Sequence, residues 1–183
     1  MKLAQRIDAL NERIGRAMSW LVLAMVLLGA FNAVARYVGR WIGVNLSSNA
    51  YLEGQWYLFS LVFLLGAAYT FKHDGHVRVD VLYGRLGTRA KAWIDLIGIL
   101  VFLMPFSLFI LGVSWPSVWN SWAVWEASAD PGGLPRYPIK SMILVAFVLL
   151  IAQGIAEVIR KVEYLRSDAD RESAPTPAKG TEA

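Results

Sequence analysis

The 183-residue chain contains no cysteine, which excludes both a disulfide framework and a thiolate metal site. Charge is also scarce: 17% of residues are charged, against about 25% in soluble domains. Histidine is limited to His73 and His76, and neither lies inside an apolar run where it could serve as the axial ligand of a membrane haem. No Gly-rich phosphate loop, nucleophile elbow or kinase-type signature occurs, so nothing points to an enzyme or to a cofactor. The net charge of +4 is not laid out as a basic stripe with interleaved aromatics, so nucleic acid is not an indicated partner.

What the chain has in excess is apolar surface: 56% hydrophobic residues and eight tryptophans, a side chain that favours the membrane–water boundary. Spanning the roughly 30 Å hydrocarbon layer takes about 20 mainly apolar residues in a helix, because only a helix satisfies its own backbone in lipid. Four runs meet that requirement, from about Met18 to Val38, Ala50 to Phe71, Trp93 to Val113 and Ile139 to Ile159. The expected fold is therefore an all-α integral membrane protein of four transmembrane helices with interfacial amphipathic helices.

Lys and Arg set the orientation, because positive flanks stay in the cytoplasm. Fourteen of the eighteen basic residues fall in the N-terminal flank, the loop between the second and third runs, and the C-terminal flank. Both termini and the middle loop are expected to be cytoplasmic. The basic start, the apolar run and Ala33-Val34-Ala35 resemble a cleavable secretory signal, but the run exceeds the usual 7–15 residues and cleavage would spoil the charge pattern. Retention of the segment is expected.

Leu3, Ile7, Leu10 and Ile14 recur at helical spacing before the first span, which predicts an amphipathic interfacial helix over residues 1–17 on the cytoplasmic leaflet. Residues 18–159 form the four-helix membrane domain, and 160–183 a cytoplasmic tail, disordered from about residue 167, where Pro, Ala, Ser and charge dominate. Trp115, Trp119, Trp122 and Trp125 share one helical face just outside the third span. They belong either to a helix along the outer interface, beginning near Ser114 ahead of Pro116, or to the outer turns of a long third span that line a partner. Asp130 to Pro138 breaks any helix and makes a tight external turn.

His73, Asp74, His76 and Asp80 hold donor types that bind transition metals, but their spacing lacks the tighter ligand sets of dedicated sites. An Asp-Gly turn leaving the second span is the preferred reading, and no metal is assigned. Transport by this chain alone would need ionisable groups near the membrane midplane, and the middle of every run lacks them. Paired Gly/Pro breaks are likewise missing apart from Pro105. Partner binding is the remaining role. Glu53 and Gln55 at the outer end of the second span can pair with Arg36 or Arg40, cap a partner helix, or simply reach water. Arg136 and Lys140 are placed to meet acidic groups of a partner, and Trp119 and Trp122 to pack against one. Gly66, Ala67, Ala68 and Gly98 offer close helix approach, inside this bundle or toward another subunit.

Gly66-Ala67-Ala68-Tyr69 running into His73-Asp74-Gly75-His76-Val77-Arg78-Val79-Asp80-Val81-Leu82-Tyr83, the Glu53 region, and Asp130-Pro131-Gly132-Gly133-Leu134-Pro135-Arg136-Tyr137-Pro138-Ile139-Lys140 together carry a family likeness. The chain resembles the DctQ-like small permease subunit of tripartite ATP-independent periplasmic (TRAP) transporters over roughly residues 10–165. That resemblance implies a bacterial inner-membrane scaffold working with a large permease subunit and a periplasmic solute-binding protein in sodium-coupled uptake of an organic acid. It also implies a structural turn at His73–His76. The alternative is an independent homo-oligomeric small transporter or channel, which would transport without partners.

Overall fold

A computed structural model describes residues 2–75 and 83–173, with side chains through residue 167. Its helices are α1 (Lys2–Ile42), α2 (Asn49–Lys72), α3 (Thr88–Gly98), a π-helical turn (Ile99–Leu103), α4 (Met104–Ala123) and α5 (Tyr137–Ser173). No strand occurs among the described residues. α3, the π turn and α4 form one unbroken rod, so four helices are long and apolar enough to cross a membrane. They run antiparallel in sequence order, and α5 packs against every other helix.

The π turn has a local cause. Pro105 lacks an N–H, and its ring would press on the carbonyl four residues earlier. The chain widens just ahead of it, and the Met104 N–H bonds instead to the Ile99 carbonyl five residues back. Pro116 falls inside α4 without ending it. No new helix starts near Ser114; Trp115, Trp119 and Trp122 lie on the last turns of a long third span, and Trp125 lies just past its end.

Three helices stop in the same way. Gly43, Asp74 and Trp125 adopt positive φ (71°, 56° and 50°) just past the ends of α1, α2 and α4. In each case the next amide bonds back five residues: Val44 to Gly39 at 3.0 Å, Gly75 to Thr70 at 2.9 Å and Glu126 to Ser121 at 2.9 Å. That closure satisfies an otherwise orphaned helix carbonyl. The turn expected at Asp74-Gly75 is therefore present; His76 and Asp80 lie outside the described residues. Trp125 is a bulky residue in a region that favours glycine, and it is held there between Trp122 and Tyr137, with ring centroids 6.1 and 5.2 Å away.

At 41 residues and about 1.5 Å per residue, α1 is roughly 60 Å long, twice the hydrocarbon thickness. Its first turns are not a separate interfacial helix; they continue straight into the first span. Their polar side chains are the docked ones. Asn11 Nδ2 donates to Gln153 Oε1 at 2.7 Å, Gln153 Nε2 donates to Asp8 Oδ1 at 3.0 Å, and Arg160 pairs with Asp8. Glu12 accepts from Lys72 Nζ at 2.6 Å and meets His73 Nε2 at 2.9 Å. Leu3 and Leu10 of the expected apolar stripe stay exposed. Within the chain, polar bonds to α2 and α5 fix these turns against the bundle. α5 likewise continues as helix to Ser173, past the point at residue 167 where a disordered tail was expected, while residues 174–183 lie outside the description.

Inside this bundle, close helix approach occurs at glycines other than Gly66 and Gly98. A Cβ at either of those would meet nothing within 4 Å, whereas one at Gly15 would enter the Tyr69 ring and one at Gly154 would lie 2.9 Å from Met104 Cε. Ala68, in contrast, is buried. Gly15→Ala is expected to lower stability by about 1–3 kcal/mol through overpacking. Gly66→Ala should raise it by about 0.5–1 kcal/mol through helix propensity. Thermal denaturation in detergent compares the two; shifts of the same sign would show that the packing assignment is wrong.

Candidate partner-binding surface

At the end of the bundle opposite the termini, the segment after α4 folds back over the start of α2. Glu53 is the centre of this arrangement and is only 4% exposed. Its carboxylate accepts from the Ser128 hydroxyl and the Leu134 amide, and Arg136 Nη2 stands 3.6 Å away. Glu53 therefore pairs with neither Arg36 nor Arg40. Its partners come from a loop more than seventy positions away in sequence, a pairing that spacing alone cannot reveal. Gly133 passes so close to Glu53 and Ser128 that a Cβ there would lie 2.7 Å from Glu53 Oε2.

The loop is tied down at further points. Tyr57 donates to the Pro135 carbonyl at 2.6 Å, Asn49 Nδ2 to the Pro131 carbonyl at 3.0 Å, and the Arg136 amide to the Glu126 carbonyl at 2.7 Å. Lys140 pairs with Glu126, whose carboxyl is held below the usual carboxylate range by that ammonium. The Arg136 guanidinium also sits 5.6 Å over the Trp56 ring. Arg136 and Lys140 thus use their charge within the chain, each keeping about a third of its side chain exposed (34% and 33%). Gln55 turns toward α1: its Nε2 lies 2.7 Å from where a Gly29 Cβ would stand.

Aromatic side chains make the outward surface here. Trp122 is partly engaged, donating from Nε1 to Ser141 Oγ at 2.7 Å and packing on Tyr137 at 4.5 Å. Trp119 is 70% exposed and Trp41, at the end of α1, 91%. Exposed rings at both the α1 and α4 ends form a rim that either lipid headgroups or a neighbouring membrane protein can cover. Of the residues singled out in the sequence, Glu53, Arg136, Lys140 and Trp122 are brought together here by contacts within the chain and Trp119 stays outside them; Ser128 and Glu126, which carry no motif, complete the arrangement.

At the termini-bearing end, Lys161 Nζ pairs with Asp95 Oδ2 at 2.6 Å and Arg160 pairs with Glu157 as well as Asp8. No group of three or more metal-ligating side chains gathers anywhere among the described residues. Ionisable groups thus collect at the two ends of the helices and leave the apolar middle without them.

This architecture of long apolar helices with tied-down ends accords with a match over residues 25–163 to the family of tripartite ATP-independent periplasmic transporters, DctQ component. No curated protein and no solved structure matches the chain. The match covers well over half of the chain, from within the first span into α5, so the chain belongs to the DctQ family, the small membrane component of TRAP transporters.

Proposed function

We propose that this chain is a non-catalytic membrane scaffold that braces a large permease subunit, in a complex that takes up an organic acid with a periplasmic solute-binding protein and a sodium gradient. Membership of a tripartite-transporter component family carries the reading. The apolar helix middles support it, because a chain without midplane ionisable groups has no ion path of its own. The rim of exposed aromatics offers the contact area a scaffold needs, and close packing is what holds membrane helices together where lipid supplies no hydrophobic drive. The chain lies in the bacterial inner membrane with both termini and the middle loop in the cytoplasm, as the distribution of Lys and Arg favours.

Co-expression with a large TRAP permease subunit from the same source tests the proposal. A stoichiometric complex is expected in mild detergent, and proteoliposomes carrying both subunits should take up solute only with the binding protein and sodium present. The chain by itself should transport nothing. Trp119→Ala should reduce recovery of the complex about tenfold, the effect expected of a truncated aromatic anchor, without changing membrane insertion. Uptake by the isolated chain, or full recovery of the complex with the variant, would overturn the scaffold role or its assignment to this rim respectively.

A further inference from the structure

The third-span rod stands away from the end of α2, and α5 forms the floor between them. The result is an open groove of about 1140 Å³ whose lining changes character along its length. One part is apolar: Ile99, Phe102 and Leu103 of the π turn with Phe106 and Leu150. The other is lined by Lys72, Asp74, Asp95, Glu157, Arg160 and Lys161, three cations and three anions, at the end that carries the termini.

We propose that this groove binds one phospholipid with a zwitterionic, primary-ammonium headgroup, of the phosphatidylethanolamine type, from the leaflet on the side of the termini. Depth is the first argument. From Asp95 to Phe106 on one wall, and from Leu150 to Lys161 on the floor, the rise is about 16 Å at 1.5 Å per residue. That is half of the roughly 30 Å hydrocarbon layer, the depth of one leaflet. A partner transmembrane helix would need a groove twice as long.

Charge is the second argument. Arg160 and Lys161 are bonded to carboxylates but retain further N–H donors suited to a phosphate, and Glu157, which meets Arg160 through Oε1, keeps Oε2 as an acceptor suited to an ammonium, while Asp95, already accepting from Tyr83 and Lys161, adds negative charge beside it. A purely anionic headgroup would meet three carboxylates, and a quaternary ammonium has no hydrogen to donate to them. The π turn shapes the apolar half, since its widened backbone carries Ile99, Phe102 and Leu103 into the groove, next to Gly98, where a side chain would find open space.

The test uses the full chain, delipidated in mild detergent and titrated with dioleoyl phosphatidylethanolamine, phosphatidylcholine or phosphatidylglycerol under native mass spectrometry. One phosphatidylethanolamine should be retained, at about fivefold or greater preference over the other two. Gly98→Leu fills the groove at a helical position and should abolish that preference while the melting temperature holds. Asp95→Asn, which removes an anion without adding bulk, should shift the preference toward phosphatidylglycerol. Equal retention of all three lipids, no retention, or an Asp95→Asn variant with unchanged preference would overturn the proposal. So would a cross-link from position 98 to the large subunit in the assembled complex, which would place protein in the groove.

Discussion

Replacing Glu53 by Ala is expected to release the loop between α4 and α5 and to lower the melting temperature of the purified chain by roughly 5 °C or more. The carboxylate is buried and accepts from Ser128 and from the backbone amide of Leu134, with Arg136 beside it. Removing it leaves a buried backbone donor unsatisfied and a guanidinium without its counter-charge, which costs more than the bonds contributed. Glu53→Gln keeps one acceptor oxygen and should recover part of the loss. Limited proteolysis between Glu126 and Tyr137 reports the loop directly: cleavage should appear first in the Ala variant. An Ala variant with unchanged melting and an intact loop would mean that Tyr57, Asn49 and Lys140 hold the segment without Glu53. Arg136→Glu is a poor probe of docking for the same reason, since it would put a second carboxylate against Glu53 and disturb the loop itself.

The second large effect is expected at Gln153. This side chain is fully buried and bridges Asn11 and Asp8, joining the first turns of α1 to the middle of α5. Gln153→Ala opens a cavity and strands the Asn11 amide, for a loss of about 2–4 kcal/mol. Gln153→Glu preserves the volume but places a charge where Asp8 already stands, so it should not rescue the loss. Amide hydrogen exchange over residues 2–16 separates undocking from general unfolding: exchange there should rise while the second span remains protected. If the N-terminal turns keep their protection in the Ala variant, the salt bridge between Asp8 and Arg160 is what holds them, and the Asn11–Gln153 bond is secondary.

Number of spans, helical class and family were legible in the sequence because each rests on a property the chain carries locally. Apolar runs of about 20 residues have one backbone solution in lipid, whatever their neighbours do. Asp74-Gly75 announced a turn because those residues tolerate the left-handed region, and the structure closes α2 there. Trp125 does the same at α4 with no such signal, because its strained backbone is held by Trp122 and Tyr137, neighbours that only folding supplies.

Partner choice was not legible. Glu53 was recognised as a conspicuous carboxylate, yet Arg36 and Arg40 are nearer in sequence than Arg136, which the folded loop brings beside it. Gly66 and Gly98 have the composition of contact glycines, but rotation about the helix axis turns them into open space and places Gly15 and Gly154 at the contacts. The amphipathic start of α1 was visible as a period of apolar residues; that its polar face would be the docked one depends on Gln153 and Arg160, at the far end of the chain. Periodicity and charge bias are one-dimensional, so the sequence by itself determined that this chain enters the membrane, how many times, and which family it belongs to. Which side chains meet across the helices depends on axial rotation and on packing at long separation, and only the tertiary structure decided that.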